Sequence, residues 1–387
     1  MVSSPLSAQQ RPLERLSAFF KSPKGRTSMA LVAASIVVVA AGAAAYTRYF
    51  RTERSAPPVA DAPAPAIEVE TPKTVASLLD GVQVSEEAAK KRPLAVMVEN
   101  HPEARPQAGL ADANVVWEAI VEGGITRFMA LFTHQKAEKV GPVRSARTQY
   151  VSWAAGYKAL YAHAGGSQGG LALIDQLGSV VTDLPHTAAY FFREPKAGVA
   201  SEHTLFTTSD KLWEFAGEKG ASLVADFTPM AFTDEAPLER RPQDANVTVD
   251  YSTNTYKAEW LYSRDENRYL RTMAGAPHKD AVTGDQIDAK NVVVLVVDRS
   301  YNANTNQGKG EYTFTTEGSG KALVFQNGAF VEGTWRKERK DTMLTLRGAD
   351  EKEIPLVAGT TWFQVIPPDR LEYVKHTEVP VPPPATT

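Results

Sequence analysis

Apolar residues fall along the chain in three successive patterns, and each predicts a different kind of element. Residues 29–46, MALVAASIVVVAAGAAAY, form an unbroken run without a charge. At the rise of an α-helix this run reaches roughly 27 Å, close to the hydrocarbon thickness of a bilayer. From Arg92 the pattern changes to short continuous runs mixed with helical repeats. PLAVMVEN, NVVWEAIV, TRFMALFTH and ALYAHA read as buried strands; RSARTQYVSWAAGYK, GLALIDQLG and TSDKLWEFAGEKG read as helices. Val151, Ala154 and Ala155 share a face of the first helix, Gly178 closes the second, and Ser209 is expected to cap the third. From about Asn246 short strands are broken by Gly, Asn and Asp turns: VTVDY, YKAEWLY, NVVVLVVD, KALVFQNG, MLTLRG, IPLVAG and TWFQVIP, with QNG turning a hairpin.

These patterns divide the chain. A basic cytoplasmic tail is expected over 1–28, a transmembrane anchor over 29–47 and an Ala/Pro-rich linker over 48–91. An α/β (α+β) N-terminal domain follows over 92–245, then a mainly β C-terminal domain over 246–372, expected as a barrel or sandwich, and a disordered Pro-rich tail over 373–387. Arg11, Arg15, Lys21, Lys24 and Arg26 precede the apolar run against Glu14 alone, so the C-terminal bulk is expected outside the membrane. Tyr46 and Tyr49 suit an interface, and Arg48 and Arg51 follow the run directly. The competing reading is a cleaved signal peptide, for which AGAAA offers small-residue sites.

Composition narrows the chemistry. The 387 residues carry a formal charge of -3, which gives no general attraction to nucleic acid. There is no cysteine, so disulfides, thiolate metal sites, cysteine nucleophiles and a lipid-bearing cysteine are excluded.

Several polar clusters carry candidate chemistry. In VGPVRSARTQY, Arg144 and Arg147 are three apart and are expected on one face near the start of a helix, where an anion would sit between two guanidiniums. The bland alternative is an ion-pair network with Glu118, Glu122 or Asp175. YAHAGGSQGG contains G-x-S-x-G between a strand and a helix, followed in order by Asp183, His186 and His203. Serine catalysis, an anion pocket formed by Gly165, Gly166, Ser167 and Gln168 with His163 at its rim, and a simple tight turn all fit this loop. No serine–histidine–aspartate relay is expected. Asn100, His101 and Arg105 follow a strand end, where open α/β sheets expose ligand crevices. WEAIVEGGITRF offers Glu118 and Glu122 as acid and base, with Arg127 near them. Glu202 and His203 sit at a turn. His101, His163 and His203 lack metal-ligand spacing, and neither a metal nor a cofactor is expected. His278 and Asp280 read as parts of a polar turn.

Taken together, RPLAVMVENHPEARPQAGLADANVVWEAIVEGGITRFMALF, EKVGPVRSART, YAHAGGS, SEHTLFTT, GSGKALVFQNGAFVEGTWRK and GTTWFQVIP resemble the YerB-like proteins, bacterial exported lipoproteins built from paired domains of unknown function. The resemblance spans about residues 90–370. It implies an envelope location and a two-domain layout, and no reaction. Two departures stand out: the family's lipobox cysteine is absent, and Gln168-Gly169 stands where proline commonly follows the loop serine. The resulting expectation is a single-pass protein of the bacterial cytoplasmic membrane. It would bind an anionic phosphorylated glycan or lipid headgroup through Asn100, Arg127, Arg144, Arg147, His163, Gly165, Gly166 and Ser167. An envelope hydrolase or transferase using Glu118, Glu122 and His203, or a scaffold for wall-synthesis proteins, are the alternatives.

Overall fold

The computed structural model describes residues 38–49, 73–305 and 310–377. The chain divides into two compact units, Met1–Glu70 and Thr71–Thr387. In the first, residues 38–49 form a helix with exposed side chains. The basic tail and residues 29–37, the first half of the expected anchor, lie outside the described residues. Among the described residues no helix is long and apolar enough to cross a membrane.

The second unit is organised by a ten-stranded sheet. Its order is Thr345–Arg347, Ala329–Lys337, Gly318–Gln326, Asn291–Val296, Thr361–Ile366, Val115–Ile120, Thr126–Phe132, Leu94–Glu99, Leu160–His163 and Thr182–Pro185. The first five strands come from the C-terminal region and the last five from the N-terminal region. They join where Thr361–Ile366 pairs in parallel with Val115–Ile120, Val365 opposite Ala119. The C-terminal strands therefore do not close into a barrel or sandwich of their own. NVVVLVVD and TWFQVIP are continuously apolar because their strands lie in the middle of a sheet covered on both faces. Alternation marks the smaller antiparallel sheet, in which Val247–Asp250 and Arg268–Met273 bury every second residue. The hairpin at Gln326 turns through Asn327 and Gly328, both at positive φ, as a two-residue turn requires.

The two faces of the large sheet bury separate cores. Leu94, Val96 and Val98 pack with Leu212 and Trp213 of the helix Ser209–Glu218 and with Val247, Val249 and Trp260 of the smaller sheet. Ala95 and Met97 pack on the other face, against Tyr150, Val151 and Ala154 of the helix Thr148–Gly156 and Leu173 of the helix Gln168–Gln176. The cap of Ser209–Glu218 is Thr208, one residue before the serine expected there; its hydroxyl accepts from Lys211 N.

The folded unit is longer at both ends than the patterns suggest. Thr74–Ala76 pairs with Gln83–Ser85, and buried Asp80 accepts from Asn114 Nδ2 at 2.7 Å and lies 2.8 Å from His134 Nε2. Residues 73–91, expected within the linker, are thus tied into the body. Val374–His376 pairs with Val247–Asp250, so the expected tail begins as an edge strand; residues 378–387 lie outside the described residues.

Candidate functional site

The site is set by strand ends and by the segment that crosses them. Glu99 and Arg127 are opposite each other on adjacent antiparallel strands, with their side chains on the same face. Beside the end of strand Leu94–Glu99, bridged to it at Val98–Val143, runs an extended segment, residues 141–147. Its Val143 N donates to Leu205 O, Arg144 N to Met97 O and Ala146 N to Gly165 O. Gly141 is required where the segment enters, because a Cβ there would stand 2.8 Å from the Leu205 carbonyl oxygen.

Pairing in this extended form overrides the helical periodicity. The helix begins only at Thr148, with Arg147 as its cap residue, so the two arginines do not share a helical face. Both nevertheless reach one open cavity of about 340 Å³, together with Arg127.

Two of the three arginines of this cavity meet a carboxylate. The Arg144 Nε contacts Glu99 Oε2, and its Nη1 donates to Glu202 O at 3.2 Å. Arg147 forms a fork on Glu122, with Nε–Oε1 2.5 Å and Nη2–Oε2 2.9 Å. Burial raises the Glu122 carboxyl, but the Arg147 fork outweighs this and holds it below its ordinary 4.5. Arg127 donates Nη1 to Ser145 O at 3.0 Å, and its buried Nε has no hydrogen-bond partner. Burial, then the neighbouring Arg147, pull the Arg127 guanidinium down to about 10.

Two imidazoles complete the cavity wall. His203 lies 3.4 Å through Nδ1 from Glu99 Oε2 and 3.7 Å through Nε2 from Glu103 Oε2. Its ring stacks on that of His101, with centroids 4.7 Å apart and planes 9° apart.

The glycine-rich loop stands behind this wall. Gly165 accepts from Ala146 N, Ser167 N donates to Ala146 O and Ser145 Oγ donates to Ala164 O, so the loop props the arginine segment. None of His163, Gly165, Gly166 and Ser167 lines the cavity. Ser167 caps the helix Gln168–Gln176 by accepting from Gly170 N, and its hydroxyl donates to Glu311 from the C-terminal region. His163 spends Nδ1 on Gly165 O and Nε2 on Asp183 Oδ1, both at 2.7 Å. The hydroxyl therefore meets a carboxylate of the chain itself, and no serine–histidine pair is assembled.

Glu118 and Asn100 belong to a different structure, a buried ring of side chains. Thr126 Oγ1 donates to Glu118 Oε1 at 2.8 Å, and Asn100 Nδ2 to Thr126 Oγ1 at 2.6 Å. Asn100 Oδ1 accepts from Gln107 Nε2 at 3.0 Å, and Gln107 Oε1 is 2.8 Å from His278 Nε2. His278 Nδ1 accepts from Arg271 Nε, so its proton sits on Nε2; Arg271 Nη2 then closes the ring on Glu118 Oε2 at 2.8 Å. Arg271 and Glu118 are fully buried. The guanidinium lies 4.6 Å from the Trp362 ring centre and 5.0 Å from that of Trp260.

Glu118 and Glu122 therefore share no site: the strand ends at Ile120, and Glu122 lies beyond it in a 3-10 turn. Sequence reasoning missed Arg271 and Gln107 and gave His278 and Asp280 only a turn. All four are buried, and Asp280 caps the backbone at Ala111 and Val282. Glu99 was missed too. Its signal was its place as the last residue of a predicted strand, beside Asn100.

Comparison with known proteins places this geometry. Residues 79–222 match the N-terminal domain, and residues 247–363 the C-terminal domain, of a family described as protein of unknown function DUF3048. A relative from Bacillus subtilis (strain 168), described as putative lipoprotein YerB, is 32% identical over 303 residues, covering 77% of this chain and 88% of its own. A crystal structure of the YerB protein from Bacillus subtilis is 31% identical with a TM-score of 0.67, covering 79% of this chain and 100% of that one. With both domains matched in order, the chain belongs to the YerB-like family of paired DUF3048 domains.

Proposed function

We propose that this is a membrane-attached, extracytoplasmic envelope protein that binds an anionic ligand, a phosphorylated glycan or lipid headgroup, in the cavity of Arg127, Arg144 and Arg147. Attachment and location are supported by the description of the Bacillus subtilis relative as a putative lipoprotein. For this chain the apolar run at 29–46 is the attachment we assign, as a single span.

One observation carries the ligand class. Three guanidiniums face one open cavity, and the most buried of them keeps an unpartnered Nε. A buried donor without an acceptor is costly, and a phosphate oxygen would relieve it once the Arg127 side chain turns that donor toward the cavity. Glu99 and Glu122 hold two of the arginines in place, so an anion meets them already ordered.

Calorimetric titration of the full chain with inorganic phosphate and N-acetylglucosamine 1-phosphate tests this. Binding is expected to weaken about 100-fold or more in Arg144→Ala/Arg147→Ala, since two charged hydrogen-bonding groups are lost. A double variant that binds as tightly as the parent chain, or a parent chain that binds neither probe, sinks the reading.

A further inference from the structure

Two 3-10 turns bring His101, Glu103 and His203 together at the mouth of the cavity. His101 precedes the turn Pro102–Ala104, which carries Glu103, and the turn Ser201–His203 ends on the second histidine. One donor atom from each residue lies within 4.8 Å of the other two. Two imidazoles and a carboxylate form an N2O donor set of the kind that first-row divalent ions take, zinc above all.

Such ligands work when a second group orients them. A metal-bound imidazole commonly donates its other N–H to a carboxylate, which fixes the tautomer and aims the ring. His203 Nδ1 is buried, makes no hydrogen bond, and stands 3.4 Å from the buried Glu99 Oε2. With the proton on Nδ1, the lone pair of Nε2 points to the Glu103 side, where the carboxylate is 3.7 Å away.

We propose that His101, Glu103 and His203 form a binding site for a divalent transition-metal ion of the zinc type, oriented by Glu99. Bonds to zinc of about 2.1 Å require the three donor atoms to draw together. The half-exposed Glu103 side chain is free to move inward, and the His101 ring must turn out of its stack on His203, because a metal lies near the plane of each imidazole it binds. His101 Nδ1 accepts from Glu103 N at 3.3 Å; coordination through Nε2 gives up this one weak hydrogen bond. Three protein ligands leave a fourth position open. It can hold water or, if the anion reading is right, a ligand oxygen. The metal site itself does not depend on that reading.

The test is calorimetric titration of the chelator-stripped full chain with zinc chloride in buffer free of phosphate. The expected result is uptake of one ion per chain, weakened roughly 100-fold in Glu103→Gln and His203→Ala and about 10-fold in Glu99→Gln. Glu103→Gln changes an exposed side chain, so its melting temperature is expected to match the parent's, which keeps the result readable if His203→Ala misfolds. Uptake is also expected to persist in Arg144→Ala/Arg147→Ala, so a failed anion reading leaves it standing. No stoichiometric uptake by the parent chain, or unchanged affinity in Glu103→Gln, overturns the site.

Discussion

The closed ring around Glu118 and the open cavity around Arg127 are built from the same residue types at the ends of the same strands. Thr126 joins the ring and Arg127 the cavity; Asn100 joins the ring, while Glu99 and His101 face the cavity. Neighbours in sequence take opposite roles because side chains alternate across a strand. The ring lies on the face shared by Phe128 and Trp260, under the smaller sheet, and every turn of it is buried. The cavity lies on the opposite face, where the cover stops short. Glutamate and arginine become a cross-brace in one place and a receptive surface in the other because of what covers them.

The contrast should appear first in stability. Arg271→Ala strands the Glu118 carboxylate in the core and is expected to cost about 3–5 kcal/mol, read by urea denaturation. Arg147→Ala should cost no more than about 2 kcal/mol, since its Glu122 partner can turn toward the open cavity. Equal losses for the two would erase the distinction drawn here.

A pH series sharpens it. Burial, followed by Arg271 and Arg105, holds His278 well below its ordinary 6.5. The unfolded chain then binds a proton that the folded protein refuses, so stability is complete above about 6.5 and falls as pH drops. The slope is at most about 1.4 kcal/mol per pH unit. His186 shifts in the same direction, by slight burial and then Arg193, so the readout is the difference between the parent chain and His278→Asn. Identical slopes between pH 6.5 and 5 would show that the ring does not exclude the proton.

The smallest effect belongs to the glycine-rich loop, which props the cavity from behind. Ser167→Ala removes a helix cap and is expected to cost about 1 kcal/mol. A fluorophosphonate probe should label neither form. Labelling of the parent chain that disappears in the variant would return the loop to catalysis.

What was legible in the sequence follows the range of the interactions. Glu122 and His203 sit in 3-10 turns, and Arg144 and Arg147 follow Gly141-Pro142 in an extended segment. Local signals marked all four, but not the extended form that replaced the expected helical face of the arginines. Glu118 was misassigned because its partners Arg271 and Gln364 are 153 and 246 positions away, and no local spacing encodes such a pairing. The N-terminal strands were readable from their apolar runs, but the sheet order was not, since pairing across regions is non-local. The anionic partner of Ser167 was hidden for the same reason: Glu311 is 144 positions distant.

The placement of Thr361–Ile366 bears on how the protein is made. This strand, near the C-terminus, lies between Asn291–Val296 and Val115–Ile120, in the interior of the large sheet. As the chain is synthesised from its N-terminus, Val115–Ile120 must wait with one hydrogen-bonding edge bare until residues 361–366 have been made. An open, apolar strand edge is a template for wrong partners. A truncation just before residue 361 would leave that edge open permanently, so the mature fold is a late event in the protein's biogenesis.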